Sequence, residues 1–232
     1  MTTFVVGDIH GRARALEEVF LNSGFNKTID TLIVLGDIVD GGLETARVFD
    51  ILETVEKKII IRGNHDEWAL NWMHTGQELP VWVHQGGYAT MLSYDFNSGN
   101  VPKSHRMMIE KSKSYYIDTK NRIFVHGGFN PIIPIYNNKM DVFTWDRTLI
   151  NYAKEHTIDQ FSEVFIGHTT TQLFNTYKPV HLHNLWMLDT GAGWNGKLTI
   201  MDVDTKEYWQ SKIQYPGHID RLVTDDEFRY GV

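Results

Sequence analysis

The chain contains no cysteine, which excludes disulfides, thiolate metal sites and a cysteine nucleophile. No apolar run approaches the length of a membrane span. The apolar stretch within "MTTFVVGDIHG" is too short for a signal peptide. The expectation is therefore a soluble, cytoplasmic protein with no membrane partner. Positive charge is scarce: 22 Lys and Arg against 29 Asp and Glu leave a net charge of −7. Broad nucleic-acid surfaces are basic, so that class is disfavoured. A local phosphate site survives the argument, because a bound cation can supply the missing charge. There is no internal repeat, low-complexity tract or linker that would divide the chain. Its 232 residues, 42% hydrophobic, are expected to form one domain over 1–232.

Short apolar runs at residues 4–6, 31–35, 58–62, 122–125 and 164–166 read as buried strands. Residues 12–21 and 45–55 carry apolar positions at helical spacing. Strand, helix, strand, helix, strand at this pitch predicts a parallel α/β half. Residues at about 67–116 are rich in Trp, Tyr and Met, broken by Gly and Pro, and predict a cap-like insertion of helices and loops. Further strands are expected over 185–188 and 198–203, with "WNGK" (194–197) as a hairpin turn between them. His181 and His183 flank Leu182 on one face of another expected strand. With no third ligand evident, they are expected at the surface. His74, His84, His105, His156 and His218 have no partner that the sequence identifies, and "TDDEF" (224–228) reads as a peripheral acidic segment.

The strands end on chemistry. Asp8 and His10, Asp37 and Asp40, Asn64 and His65, His126, and His168 each follow an apolar run and lie beside glycine. Taken singly, each has an ordinary explanation: Gly-Asp makes a turn, and Asn64 suits the cap of a following helix. Five such endings together point to one site, because parallel strands place their carboxyl ends on one edge. Carboxylates, imidazoles and an amide without sulfur suit first-row divalent ions. A pair of ions needs a shared carboxylate, and such a pair clamps both oxygens of a displacement at phosphorus. Asp37, central in sequence, is the natural bridge. Asp8 and His10 are expected at the first ion, and Asn64, His126 and His168 at the second. His65 and Asp40 remain for acid–base work, the carboxylate fixing the ring. Arg62 and Arg147 are candidates to hold phosphate oxygens, with a surface salt bridge as the alternative for each.

In order and spacing, "GDIHG" (7–11), "GDIVDGG" (36–42), "RGNHD" (62–66), "HGG" (126–128) and "GHT" (167–169) resemble the calcineurin-like metallophosphoesterases. The similarity is to the phosphoprotein-phosphatase branch, especially its short bacterial and bacteriophage (lambda-type) members. It runs from about residue 4 to about 203, and 188–204 resembles that branch's closing hairpin. The resemblance implies a four-layer αββα sandwich of two mixed sheets, and two divalent ions. Manganese is the first expectation, with iron, zinc or nickel as alternatives. It implies the same ligand sets, with His65 protonating the leaving oxygen and Asp40 as its partner. The implied activity is hydrolysis of phosphomonoesters, foremost phosphoserine and phosphothreonine proteins, with small phosphoesters as further substrates. Two positions depart from the pattern. Gly41 stands where the family carries a phosphate-clamping Arg, leaving Arg12, Arg62 and Arg147 as substitutes, and Asp66 stands where protein phosphatases carry Glu. These departures keep two alternatives open: a hydrolase of diadenosine tetraphosphate or of nucleotide and nucleic-acid phosphate ends, and an inactive metal-bound protein that binds phosphorylated ligands.

Overall fold

A computed structural model of the chain describes residues 1–212; His218 and the acidic segment at 224–228 lie outside the described residues. The first half alternates strand and helix as expected: β1 (Thr3–Val6), α1 (Ala13–Ser23), β2 (Thr31–Val34), α2 (Thr45–Glu53) and β3 (Lys57–Ile60). Helix α1 buries Leu16, Val19 and Phe20 at helical spacing and ends where Gly24 takes a left-handed conformation. There follow α3 (Asn64–Thr75), α4 (Pro80–Trp82), α5 (Tyr88–Leu92) and α6 (Lys103–Glu110). The second half holds β4 (Tyr115–Ile117), β5 (Arg122–Val125), α7 (Met140–Trp145), α8 (Thr148–Ala153), β6 (Glu163–Ile166), β7 (Val180–Leu182) and β8 (Leu185–Met187). Strands β9 (Thr199–Asp202) and β10 (Tyr208–Gln210) complete the described chain.

Two mixed sheets result. One has the order β10-β9-β1-β2-β3, with β1, β2 and β3 parallel; the other has the order β4-β5-β6-β8-β7, with β5, β6 and β8 parallel. The period-2 geometry of strands explains why they read as unbroken apolar runs. In β1 and β2, Phe4, Val6, Leu32 and Val34 face the outer helices, while Val5 and Ile33 face inward. In β5 and β6, Ile123, Val125, Val164 and Ile166 pack toward the helical layer, whereas Phe124 and Phe165 meet Val5 and Ile33 between the sheets. Three cores between four layers make the αββα sandwich. Trp72, Met73, Trp82, Met91, Tyr94 and Ile109, from the aromatic-rich stretch, join the outer core of the first sheet.

The hairpin expected at 194–197 does not form between its two strands. Strand β8 pairs with β6 and β7 in one sheet, and β9 pairs with β1 and β10 in the other. The intervening segment crosses between sheets, tied by a bridge between Gly191 and Lys197. Strand order is set by long-range packing, which local turn chemistry does not report. His183 falls beyond β7 with φ of 51°, so it does not share a strand face with His181. The His181 ring instead stacks on Trp186 at 3.9 Å. Strand β4 had no sequence signal, being three residues that pair antiparallel with β5. Several of the histidines without an expected partner have one: His74 pairs with Glu110 at 2.9 Å, His105 contacts Asp50 at 3.1 Å, and the His156 ring lies 4.9 Å from that of Tyr152.

Candidate metal centre

The strand ends of both sheets meet. Asp8, His10, Asp37, Asn64, His65, His126 and His168 are all buried there. The backbone turns sharply at several of them: His10, Asp37, Asp40 and His168 have φ of 49°, 45°, 71° and 61°. Left-handed backbone at non-glycine residues costs free energy and persists where the surroundings over-determine it, as at functional sites. Glycine permits the close approach. A Cβ on Gly63 would collide with Asp37 Oδ1, and one on Gly167 with Asp8 Oδ1.

The ring orientations are set by backbone carbonyls. His10 Nδ1 donates to Val39 O at 3.0 Å and His126 Nδ1 donates to Leu35 O at 2.7 Å. A carbonyl only accepts, so in each neutral ring Nε2 is left with a lone pair turned into the site. His126 Nε2 faces Asn64 Oδ1 at 3.0 Å and Asp37 Oδ2 at 3.4 Å, and His10 Nε2 faces Asp37 Oδ2 at 3.7 Å. Acceptors facing acceptors call for a cation between them. Donor atoms of Asp8, His10 and Asp37 lie within 4.8 Å of one another, as do those of Asp37, His126 and His168. Asp37 belongs to both groups. Asp8 Oδ1 and His168 Nε2 are buried with no hydrogen-bond partner among the described residues, a costly state that a cation would relieve.

Electrostatics agree. Burial, then Asp189 and Asp37, push the Asp8 carboxyl well above its usual range. Burial alone would raise Asp37 too, but His126, His65 and His10 around it hold it below the normal carboxylate range. Burial drives His10 down to about 4 and His168 down to about 3, the latter with help from His126. Against burial, Asp37 raises His126 instead, as an uncompensated carboxylate does where a cation is called for, and buried imidazoles beside concentrated carboxylate are a metal-binding donor set. The residues present therefore fit two divalent ions sharing Asp37.

His65 and Asp40 stand beside these groups. His65 Nδ1 lies 2.7 Å from Asp40 Oδ2. Burial works to lower the His65 pKa, but Asp37 and Asp40 overrule it and raise it to about 9. Sequence reading missed what holds Asp40. Thr90 Oγ1 donates to Oδ1 at 2.7 Å and Trp82 Nε1 donates to Oδ2 at 2.8 Å, both from the aromatic-rich stretch. Asp66 was likewise read only as a departure from a motif. It is buried, and its two oxygens accept from Ile38 N (2.9 Å) and Gly63 N (3.0 Å), tying two strand-end loops together. Asp189, buried near Asp8, was not singled out, although "LDTG" repeats the pattern of a strand ending on Asp.

The arginines divide. Arg62 is engaged at a helix end: Nε donates to Ser112 Oγ (2.8 Å) and Nη2 to Ile109 O (2.6 Å) and Glu110 O (3.0 Å), so it caps the C-terminus of α6. Arg12 is buried and donates to Ala192 O and Gly193 O. Arg147 is exposed, makes no ion pair with another described residue, and lies close enough for its charge to lower the His168 pKa. Gly41 has φ of 74°, and a Cβ there would come within 2.9 Å of Gly193 O, so an Arg at this position is strained. At the mouth, the Trp68 ring lies 5.3 Å from His65 and 5.1 Å from Trp145, which in turn lies 6.0 Å from His168.

Comparison with known proteins agrees with this geometry. The family model described as calcineurin-like phosphoesterase matches residues 1–194. Serine/threonine-protein phosphatase 1 of Salmonella typhimurium is 25% identical over 206 residues, covering 85% of this chain and 89% of that protein. The symmetrical bis(5'-nucleosyl)-tetraphosphatase of Pseudomonas putida is 22% identical over 271 residues, covering 90% and 92% respectively. The crystal structure of a candidate diadenosine tetraphosphatase superposes with a TM-score of 0.71 at 18% identity, covering 93% of this chain and 94% of that one. No helix among the described residues is long and apolar enough to cross a membrane. With the matched region spanning most of the sequence and every motif of the resemblance converging in space, the chain belongs to the calcineurin-like phosphoesterase family.

Proposed function

We propose that this phosphoesterase uses two divalent ions to hydrolyse phosphomonoesters, with phosphoserine and phosphothreonine proteins as its foremost substrates. The observation that carries the reading is the pair of buried donor groups sharing Asp37, with His65 and Asp40 alongside. Asp8, His10 and Asp37 would hold one ion, and Asp37, Asn64, His126 and His168 the other; manganese is our first choice. Bound there, such a pair supplies Lewis acidity and lowers the pKa of water to near neutrality. Water contributes its oxygen to phosphorus, the P–O bond to the alcohol breaks, and the departing oxygen needs a proton. Asp40 beside Nδ1 favours the protonated ring, and His65 donates that proton. Asp40 holds Nδ1–H throughout, so that the proton passes from Nε2. No covalent phosphoenzyme is required. Arg147 steadies the phosphate oxygens in place of the Arg that Gly41 replaces. The likeness to the Salmonella serine/threonine-protein phosphatase over most of both chains supports the protein-substrate assignment.

A second reading is favoured by one feature. The Trp68–Trp145 ring pair stands next to His65, the residue proposed to protonate the leaving oxygen. Aromatic edges and faces suit a nucleobase, and nucleotide phosphoesters, diadenosine tetraphosphate included, are the substrates that would use them. Turnover of metal-stripped protein reconstituted with manganese separates the two readings. A phosphoserine peptide turned over faster than diadenosine tetraphosphate supports the first. The reverse order supports the second. Silence on both and on nitrophenyl phosphate, with two ions bound, overturns the enzyme proposal in favour of a phospho-ligand-binding protein.

A further inference from the structure

Outside the metal centre, His105 is the one histidine buried among the described residues. It sits on α6, and four neighbours set its ring. Phe49 stacks on it at 5.1 Å with 21° between planes, and Tyr94 Oη lies 3.0 Å from Nδ1. The remaining nitrogen, Nε2, points outward to Asp50 Oδ1 at 3.1 Å and Glu53 Oε1 at 3.7 Å. Asp50 and Glu53 lie three residues apart on α2, so one helix face presents both carboxylates. The three donor atoms lie within 4.8 Å of one another. The imidazole is buried, while the carboxylates are 67% and 39% exposed, which leaves positions open to water.

We propose that Asp50, Glu53 and His105 form a separate site for a divalent cation such as zinc, which pins α6 to α2. One imidazole nitrogen and two carboxylate oxygens, with water completing the shell, are a zinc donor set. Tyr94 plays the outer part: when its oxygen accepts the Nδ1 proton, the Nε2 lone pair is directed between the carboxylates. In a histidine that merely hydrogen-bonds to the carboxylate, Nε2 carries a proton and donates to Asp50, which leaves no lone pair for a cation. The consequence reaches the metal centre through packing. Helix α6 shares the outer core with Trp82, the residue that donates to Asp40.

The test uses the full chain, dialysed against chelator and titrated with zinc by calorimetry, with bound zinc counted by atomic emission. The Asp50→Asn/Glu53→Gln double variant is expected to bind one equivalent fewer than the wild type. Because the count is a difference, it holds whatever the main centre binds. Both substitutions are at exposed carboxylates, and circular dichroism checks that the fold is retained. Equal stoichiometry in the two proteins overturns the proposal. Tyr94→Phe is expected to weaken the same equivalent by about 10- to 100-fold, the usual effect of losing an outer-shell partner. Unchanged affinity in that variant would also overturn it, by showing that His105 is not oriented as a ligand. Zinc is further expected to raise the melting temperature more in the wild type than in the double variant; an equal rise counts against the pinning role.

Discussion

His65 Nδ1 lies 2.7 Å from Asp40 Oδ2, and Asp40 is completely buried. Both oxygens of that carboxylate are engaged, by His65, Trp82 and Thr90. A carboxylate so held stands fixed behind the ring, and Asp37 together with Asp40 raises the His65 pKa to about 9 against the effect of burial.

Replacing His65 with Ala is expected to reduce kcat on a phosphoserine peptide by ~100- to 10,000-fold, the range of a positioned general acid. On nitrophenyl phosphate, whose leaving group departs without a proton, the loss is expected to be tenfold or less, on the order of one unit of log rate. Parallel steady-state kinetics decide it, and equal losses on both substrates would remove His65 from the proton-donor role.

Trp82→Phe keeps the ring in the core and deletes the N–H that reaches Asp40. Hydrogen bonds to charged groups contribute about 1.5–3 kcal/mol, so thermal or urea unfolding is expected to show a loss of at least that size, because the smaller phenyl ring also leaves part of the buried indole's space unfilled. The variant is also expected to have a lower kcat, because Asp40 loses one of the donors that position it for His65. A stability loss with kcat untouched would confine Trp82 to packing.

Arg147→Ala is expected to lower kcat/KM by ~100- to 1,000-fold, the cost of removing one charge-stabilising donor. Gly41→Arg should not compensate. The left-handed backbone at Gly41 and the nearby Gly193 carbonyl impose a strain of about 1–3 kcal/mol on any side chain there. Recovery of activity in the Arg147→Ala/Gly41→Arg double variant would contradict both statements.

The pH dependence of the metal-stripped protein follows from three kinds of group. His65, held up to about 9 by Asp37 and Asp40 against burial, keeps a proton that an unfolded histidine releases above 6.5. Its stabilisation is complete below pH 6.5 and is lost as pH rises through about 9. Asp66, raised to about 7 by burial and by Asp37, also keeps a proton that the unfolded chain has released, so stability again falls as pH rises toward 7. His10 and His168, at about 4 and about 3, work oppositely: stability rises with pH up to 6.5 and is then level. Above pH 6.5 only the falling contributions remain. The melting temperature in chelator is therefore expected to drop between pH 6.5 and 9. Metal reconstitution should reverse that trend, because ions bind the deprotonated ligands. A melting temperature that climbs over the same interval in chelator would refute the assignment of His65 as a raised-pKa group.

The site could be read from sequence to the extent that it lies where the sheets end. Strands buried on both faces appear as short apolar runs, so the Gly-Asp, Gly-Asn-His and Gly-His that close them stand out. The donor types then limit the chemistry without any coordinates. What could not be read depends on contacts far apart in the chain. Trp82 and Thr90 reach Asp40 from 42 and 50 residues away, and nothing local marks them among other aromatic and hydroxyl residues. The same is true of Arg62. Its place beside "GNHD" suggests phosphate, yet its guanidinium turns to carbonyls 47 and 48 residues later. "WNGK" has the chemistry of a turn, but its flanking strands enter different sheets.

By itself, then, the sequence determined which groups could bind metal and that strands would present them, because side-chain chemistry and burial period are local properties. Tertiary structure decided that Asp37 stands between two donor sets, that Arg62 caps a helix while Arg147 makes no ion pair among the described residues, and that a buried Asp40 faces His65. Those outcomes depend on how two sheets and a helical layer pack, and packing couples residues that no local pattern connects.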